Sequence, residues 1–316
     1  VSATQLPPVH CLMGPTGAGK TALALWLAER LPIEIVSVDS ALVYRGMDIG
    51  TAKPDPGARR RVLHHLIDLC PPDEPYSVAR FCSDAAAAVA DIESRGRVPL
   101  LVGGTGLYLR RFETGIADMP PVPPDVHAQL QAALAGAGAP ALHARLAAVD
   151  ADSAARIHPH DPQRILRALG IFEASGRPMS AFLAAAPPSL ARRFRKWVLA
   201  PPVRDGLRGL WAARFHQMLD RGLVNEVARL RATAGLSLAC PALRAVGYRE
   251  VWGYLDGELD AAAMVERSIT ATAQYAKRQY TWFRAEDSAV WLDPAAPATR
   301  EILITALSDA ANRVPD

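Results

Sequence analysis

Hydrophobic and polar positions along the chain fall into two alternating patterns. "VHCLMG", "IEIVSVDS" and "VPLLVGGTG" are short apolar runs that stop at glycine or a polar residue, which predicts strands. Between them "KTALALWLAERL" and "EPYSVARFCSDAAAAVADIESRG" carry apolar residues at helical spacing. Ser77 is placed to cap the second helix and Gly96 to stop it. Strands that alternate with helices predict an α/β fold: a parallel sheet flanked by helices. The continuous apolarity of the third run suits a parallel strand covered on both faces.

The pattern changes at "DMPPVPPDV", where four prolines crowd together. "VHAQLQAALAGAG", "ALHARLAAV" and "DPQRILRALGIFEASG" then repeat the helical spacing, and "FRKWVLAPP" returns to a strand. Residues 118–195 are therefore expected to form an all-helical insertion within a core of 1–117 and 196–316. The rest is read as mostly helical, through "GLRGLWAARFHQMLDRGLVNEVARLRAT" and "AMVERSITATAQYAKRQYTWFRA".

Composition narrows the function classes. The chain has 316 residues, half of them hydrophobic, enough for a substantial core. No apolar run reaches the roughly 18–20 residues of a membrane span. The opening "VSATQLPPVHCLM" does not read as a signal peptide, so a cytoplasmic protein is expected. Cys11, Cys70, Cys82 and Cys240 form no CxxC pair, which argues against structural zinc or a disulfide framework. A net charge of +3 permits a nucleic-acid partner without requiring one.

The first chemical signal is the run Gly14, Pro15, Thr16, Gly17, Ala18, Gly19, Lys20, Thr21. It fits the P-loop pattern of ATP-binding proteins and sits between a strand and a helix. Its backbone N–H groups and the helix N-terminus can cradle a phosphate, Lys20 adds a charge, and Thr21 can ligate Mg²⁺. The pattern does not name its ligand. The third strand ends "LLVGGTGLY", without the acid that an ATPase uses to hold Mg²⁺. Asp39, at the end of "IVSVDS", can be a metal-side carboxylate, a base facing a substrate, or a cap on the next segment.

Several further stretches decide between these. "SVDSALVYRGMDIGTAKP", "HHLIDL", "PLLVGGTGLYLR", "ARIHPHDPQRILRAL", "RFHQMLDRGLVNEV", "RAVGYREVWGYLDGE" and "AKRQYTWFR" resemble, in order, the blocks of the tRNA dimethylallyltransferases (tRNA isopentenyltransferases) over nearly the whole chain. The resemblance implies a P-loop core with a helical insertion that together clasp the anticodon stem-loop of tRNA. It implies transfer of a dimethylallyl group from dimethylallyl diphosphate to N6 of the adenosine at tRNA position 37, beside the anticodon.

On that resemblance, Asp39 is the candidate base that takes the N6 proton. Lys20 and Thr21 hold the diphosphate with the loop N–H groups. Thr105 matches a threonine near the reacting centre, and Arg214 an arginine assigned to the diphosphate. Mg²⁺, with Thr21 as ligand, shares the charge. The segments matched to tRNA contact give Asp39, Ser40, Ala41, Leu42 and Thr105; Gln163, Arg164 and Arg167; Arg244, Gly247, Tyr248 and Arg249; and Lys277, Arg278, Gln279, Trp282 and Arg284. His127 stands where an arginine is common. Gly170 replaces a frequent glutamate and is expected to loosen the helix after Arg167. The implied partners are tRNA and dimethylallyl diphosphate, with no membrane, and a monomer is expected.

Two competitors remain at this level. A nucleoside or metabolite kinase would use the same loop for ATP but leaves "KRQYTWFR" unexplained. A non-catalytic RNA-binding GTPase or ATPase would need a base-specificity motif and a Walker B acid, and neither is found.

Overall fold

The computed structural model describes residues 7–185, 192–202 and 206–312. In chain order the elements are β1 (Val9–Met13), α1 (Lys20–Ala28), β2 (Ile33–Val38), α2 (Pro56–Arg61), β3 (His64–His65), α3 (Val78–Ser94), β4 (Val98–Gly103) and α4 (Gly106–Thr114). Next come α5 (Pro124–Val149), α6 (Ala151–Arg156), α7 (Pro162–Ser175) and α8 (Met179–Ala184). The chain returns through β5 (Phe194–Leu199), α9 (Leu207–Asp220), α10 (Leu223–Ala232), α11 (Tyr248–Leu255), α12 (Ala261–Arg284), β6 (Val290–Leu292) and α13 (Pro297–Ala311).

The strands form one sheet in the order β3-β2-β4-β1-β5-β6, and every pairing is parallel. All residues of β1, β2 and β4 are buried, as double coverage requires. Leu12, Ile35, Leu100 and Trp197 pack with Leu27 of α1 and with Leu303 and Leu307 of α13. The Ser77 hydroxyl accepts from Arg80 N at 3.1 Å and so caps α3. Two strands were not legible in the pattern. β3 is only the pair His64–His65, and β6 is a three-residue "VWL" whose first two residues are exposed.

The chain divides into two compact units: Val1–Arg111 with Leu190–Asp316, and Phe112–Ser189. Phe194 and Arg195 lie in β5, so the expected insertion limit of 195 runs into the sheet. The second unit has its own core of Leu130, Leu142, Leu146, Ile165, Leu166 and Leu169. Within α5, Gly138 has φ 78 and ψ 166, which breaks the run. The apolar stretch of α5 is long enough by composition to cross a membrane, but neither half reaches the roughly 20 residues a span needs. In α7, Asp161 Oδ1 accepts from Arg164 N at 3.1 Å and Gly176 ends the helix at φ 67. Gly170 does not loosen this helix. It is buried, and a Cβ there would stand 2.9 Å from Val122 Cγ1, so the position is kept small by packing.

Candidate functional site

In a parallel sheet the loops at the carboxyl ends of the strands collect at one edge, where open α/β sheets bind ligands. Here the loops after β1, β2 and β4 meet. The loop after β1 turns through Gly17 (φ 82) and Gly19 (φ 83) before α1 begins at Lys20. Lys20 Nζ donates to the Pro15 carbonyl at 2.8 Å, folding its ammonium over the loop. Burial lowers the Lys20 pKa to about 8; the Asp39 charge opposes that shift and Arg214 adds to it. An ammonium so placed lacks a full counter-charge, which suits it to an anion.

Asp39 follows β2 directly. Its Oδ1 accepts from Ala41 N at 2.8 Å and from Leu42 N at 3.3 Å, an Asx turn that fixes the carboxylate. Ser40 N donates to Thr105 Oγ1 at 3.2 Å, and Thr105 N donates to the Val38 carbonyl at 3.3 Å. The loops after β2 and β4 are thus laced together. The loop after β1 joins them through Gln279 of α12. Its Nε2 donates to the Gly104 carbonyl at 3.0 Å, and its Oε1 accepts from Thr16 N at 2.8 Å. Position 104 has to be glycine, because a Cβ there would collide with the Gln279 amide.

Two cavities open onto this edge. One, of about 290 Å³, is lined by the loop residues Gly17, Gly19, Lys20 and Thr21 and by Gly104. The other, of about 320 Å³, is lined by Trp211, Phe215, Met218, Arg244 and Arg278. Thr16, Asp39, Thr51, Arg214 and Tyr275 line both. One cavity is dressed for an anion, the other is larger and partly aromatic, and Asp39 stands at their junction. Burial holds the Arg214 pKa below its ordinary value while Asp39 pulls it back up. Burial, then the Asp39 charge, raises the Tyr275 pKa, so this phenol stays neutral and able to donate.

The residues expected to touch tRNA sort into three groups. Ser40, Ala41 and Leu42 share the Asp39 turn, and Arg244, Gly247 and Arg278 line the larger cavity. Lys277, Arg278, Arg284, Arg244 and Arg249 are exposed. Trp282 is half-buried, its ring under the Arg110 guanidinium at 5.7 Å. In the second unit His127, Gln163, Arg164 and Arg167 are all exposed, the last three on the first turns of α7.

Two expectations are corrected. Tyr248 is fully buried and its hydroxyl donates to Glu226 Oε1 at 2.6 Å, so it is a strut rather than a surface contact. Gln279 is also buried, with its amide spent on Thr16 and Gly104. Trp211, Thr51 and Tyr275 were missed. Helical spacing gave a signal for Tyr275, which lies three and four residues before Arg278 and Gln279 on α12.

A family model described as IPP transferase matches residues 42–286. A tRNA dimethylallyltransferase of Thioalkalivibrio sulfidiphilus is 53% identical over 300 residues, covering 93% of this chain and 94% of its own. One of Burkholderia mallei is 50% identical over 319 residues, covering 100% of this chain and 97% of its own. The crystal structure of the tRNA isopentenylpyrophosphate transferase of Bacillus halodurans is similar with a TM-score of 0.68 at 33% identity, covering 98% of each chain. A eukaryotic dimethylallyltransferase, solved acting on tRNA, is similar with a TM-score of 0.81 at 25% identity, covering 97% of this chain and 80% of its own.

Proposed function

The chain belongs to the IPP transferase family, and from that premise we propose that it transfers a dimethylallyl group from dimethylallyl diphosphate to N6 of the adenosine beside the tRNA anticodon. The observation that carries the reading is the junction at Asp39: a cationic cavity for a diphosphate meets a larger one, with a fixed carboxylate between them. Lys20, Arg214 and the N–H groups of the loop bind the diphosphate. The allylic C–O bond breaks, the C–N bond forms, and diphosphate leaves with the electron pair. Donors preset toward the leaving group lower this barrier. Thr105 and Tyr275 add neutral donors near the junction. The N6 lone pair is delocalised into the adenine ring, so Asp39 takes the N6 proton as the new bond forms. The adenosine leaves its stack to reach the cavity, at least cost in a single-stranded loop.

Mg²⁺ is proposed as cofactor on the donor chemistry present. Among the described residues no cluster of three metal-ligating side chains exists, so the protein alone offers no cage. Mg²⁺ commonly takes one or two protein oxygens and completes its shell with phosphate and water. Thr21, exposed at the first turn of α1 in the anion cavity, fits that need, and bound Mg²⁺ would neutralise charge on the diphosphate. Exposed Arg164, Arg167, Arg244, Arg249, Lys277, Arg278 and Arg284 are proposed to hold the tRNA backbone. The protein is proposed to act as a monomer in the cytoplasm, where its tRNA substrate is found.

The deciding experiment supplies unmodified tRNA and labelled dimethylallyl diphosphate without ATP. Label is expected on tRNA. ATP-dependent phosphorylation of a small substrate, or no transfer to any tRNA, would sink the proposal.

A further inference from the structure

The backbone of Thr16 is held on both sides, through its N–H and through its carbonyl. Its N–H donates to Gln279 Oε1 at 2.8 Å, and its carbonyl accepts from the indole Nε1 of Trp211 at 3.2 Å. Neither bond belongs to a helix or strand, so the conformation of this stretch of the loop depends on side chains from α12 and α9. The indole does more than donate. A Cβ at Gly17 would sit 3.2 Å from Nε1 and 3.3 Å from Cδ1, so the ring edge lies against one side of Gly17, which otherwise stays exposed. Gly17 and Gly19 both have positive φ, a conformation open to glycine without steric cost. Trp211 also lines the larger cavity, and Thr16 lines both.

We propose that Trp211 is a positioning residue for the anion-binding loop: its N–H anchors the Thr16 carbonyl and its ring seats Gly17, which aims the loop N–H groups into the anion cavity. The proposal deepens the reading above and rests on it, since it presumes that the loop binds a diphosphate. Indole is suited to this because it offers one donor and no acceptor, on a rigid ring that also fills space. Phenylalanine would keep much of the ring packing and remove the donor.

Inorganic pyrophosphate is the probe. W211F should weaken its binding about five-fold, the effect of one neutral hydrogen bond. The melting temperature of W211F should stay close to that of the wild type. The full-length protein labelled with 5-fluorotryptophan supplies a second readout. Either W211F or W211Y identifies the Trp211 resonance by its loss, and that resonance should shift when pyrophosphate is added. Equal pyrophosphate affinity in W211F and wild type, or an unmoved Trp211 resonance on saturation, would overturn the proposal. Wild type that fails to bind pyrophosphate at all would overturn the anion-site reading and this inference together.

Discussion

The backbone N–H of Ser40 donates to Oγ1 of Thr105 at 3.2 Å, tying the turn that carries Asp39 to the loop after β4. Ser40 is exposed, so its N–H can turn to water if that acceptor is lost. Thr105→Val is nearly isosteric and removes only the hydroxyl. The melting temperature should therefore change little. If Thr105 also faces the leaving group, transfer should fall about 10²-fold, the loss typical of one preorganised donor. Thr105→Ser should keep most activity. Turnover measured beside thermal melts separates the two effects, and full activity in the valine variant would remove Thr105 from the reaction.

Asp39→Asn tests the base cleanly. Asparagine Oδ1 can still accept from Ala41 N and Leu42 N, so the Asx turn survives. What disappears is the carboxylate that receives the proton. Turnover should drop about 10²–10⁴-fold, with tRNA affinity nearly unchanged in a filter-binding assay. Unchanged turnover would rule Asp39 out.

Lys20 makes diphosphate binding depend on pH. Its pKa is lowered from 10.5 to about 8, so the ammonium is present at neutral pH and is lost as pH rises through 8. Affinity of the free protein for dimethylallyl diphosphate should decline above that point. Lys20→Arg should bind with a flat profile across the same range, since guanidinium keeps its proton. The stability effect has the opposite direction. Between about 8 and 10.5 the unfolded chain holds a proton that folded Lys20 has released, so this group makes unfolding harder as pH rises. Below pH 8 the cost of its buried charge is present in full. Calorimetric titrations at pH 7 and pH 9 check the binding profile.

The first unit was largely legible because its strands are apolar throughout and its loop glycines have a mechanical purpose. β1, β2 and β4, Ser77 as cap and Asp39 at a strand end all follow from local pattern. β3 and β6 did not, because two histidines and a short "VWL" carry no periodicity of their own and pair only where the sheet already exists. Tyr248 and Gln279 were misplaced for a related reason. Each sits beside charged residues in sequence, yet the helix turns its side chain inward. Their partners, Glu226 for Tyr248 and both Thr16 and Gly104 for Gln279, are distant in sequence. Trp211 could not be singled out from spacing, since its role depends on the carbonyl of Thr16.

Arg167 is exposed on α7 and belongs to the proposed backbone contacts. A contact with one phosphate gives a specific salt signature. Arg167→Ala should weaken binding of all substrate tRNAs alike and reduce the slope of log affinity against log salt by about 0.7–0.9. An unchanged slope would place Arg167 off the tRNA.

Glu226 is the hub of a buried latch. Its Oε2 accepts from Asp48 N at 3.0 Å and Ile49 N at 2.8 Å, and its Oε1 accepts from Gly50 N at 3.2 Å and from the Tyr248 hydroxyl at 2.6 Å. The loop it holds includes Gly50 and Thr51, which line the larger cavity. Tyr248→Phe removes one donor and leaves the three N–H groups satisfied, so it should cost about 1–2 kcal/mol. Glu226→Gln is worse. It turns an NH₂ group toward backbone donors and strips the charge from every remaining bond, for about 2–4 kcal/mol. The double variant should cost less than the sum, because the Tyr248 bond is already weakened once the carboxylate is gone. Strict additivity in denaturant titrations would show that the hydroxyl and the carboxylate do not act as one latch.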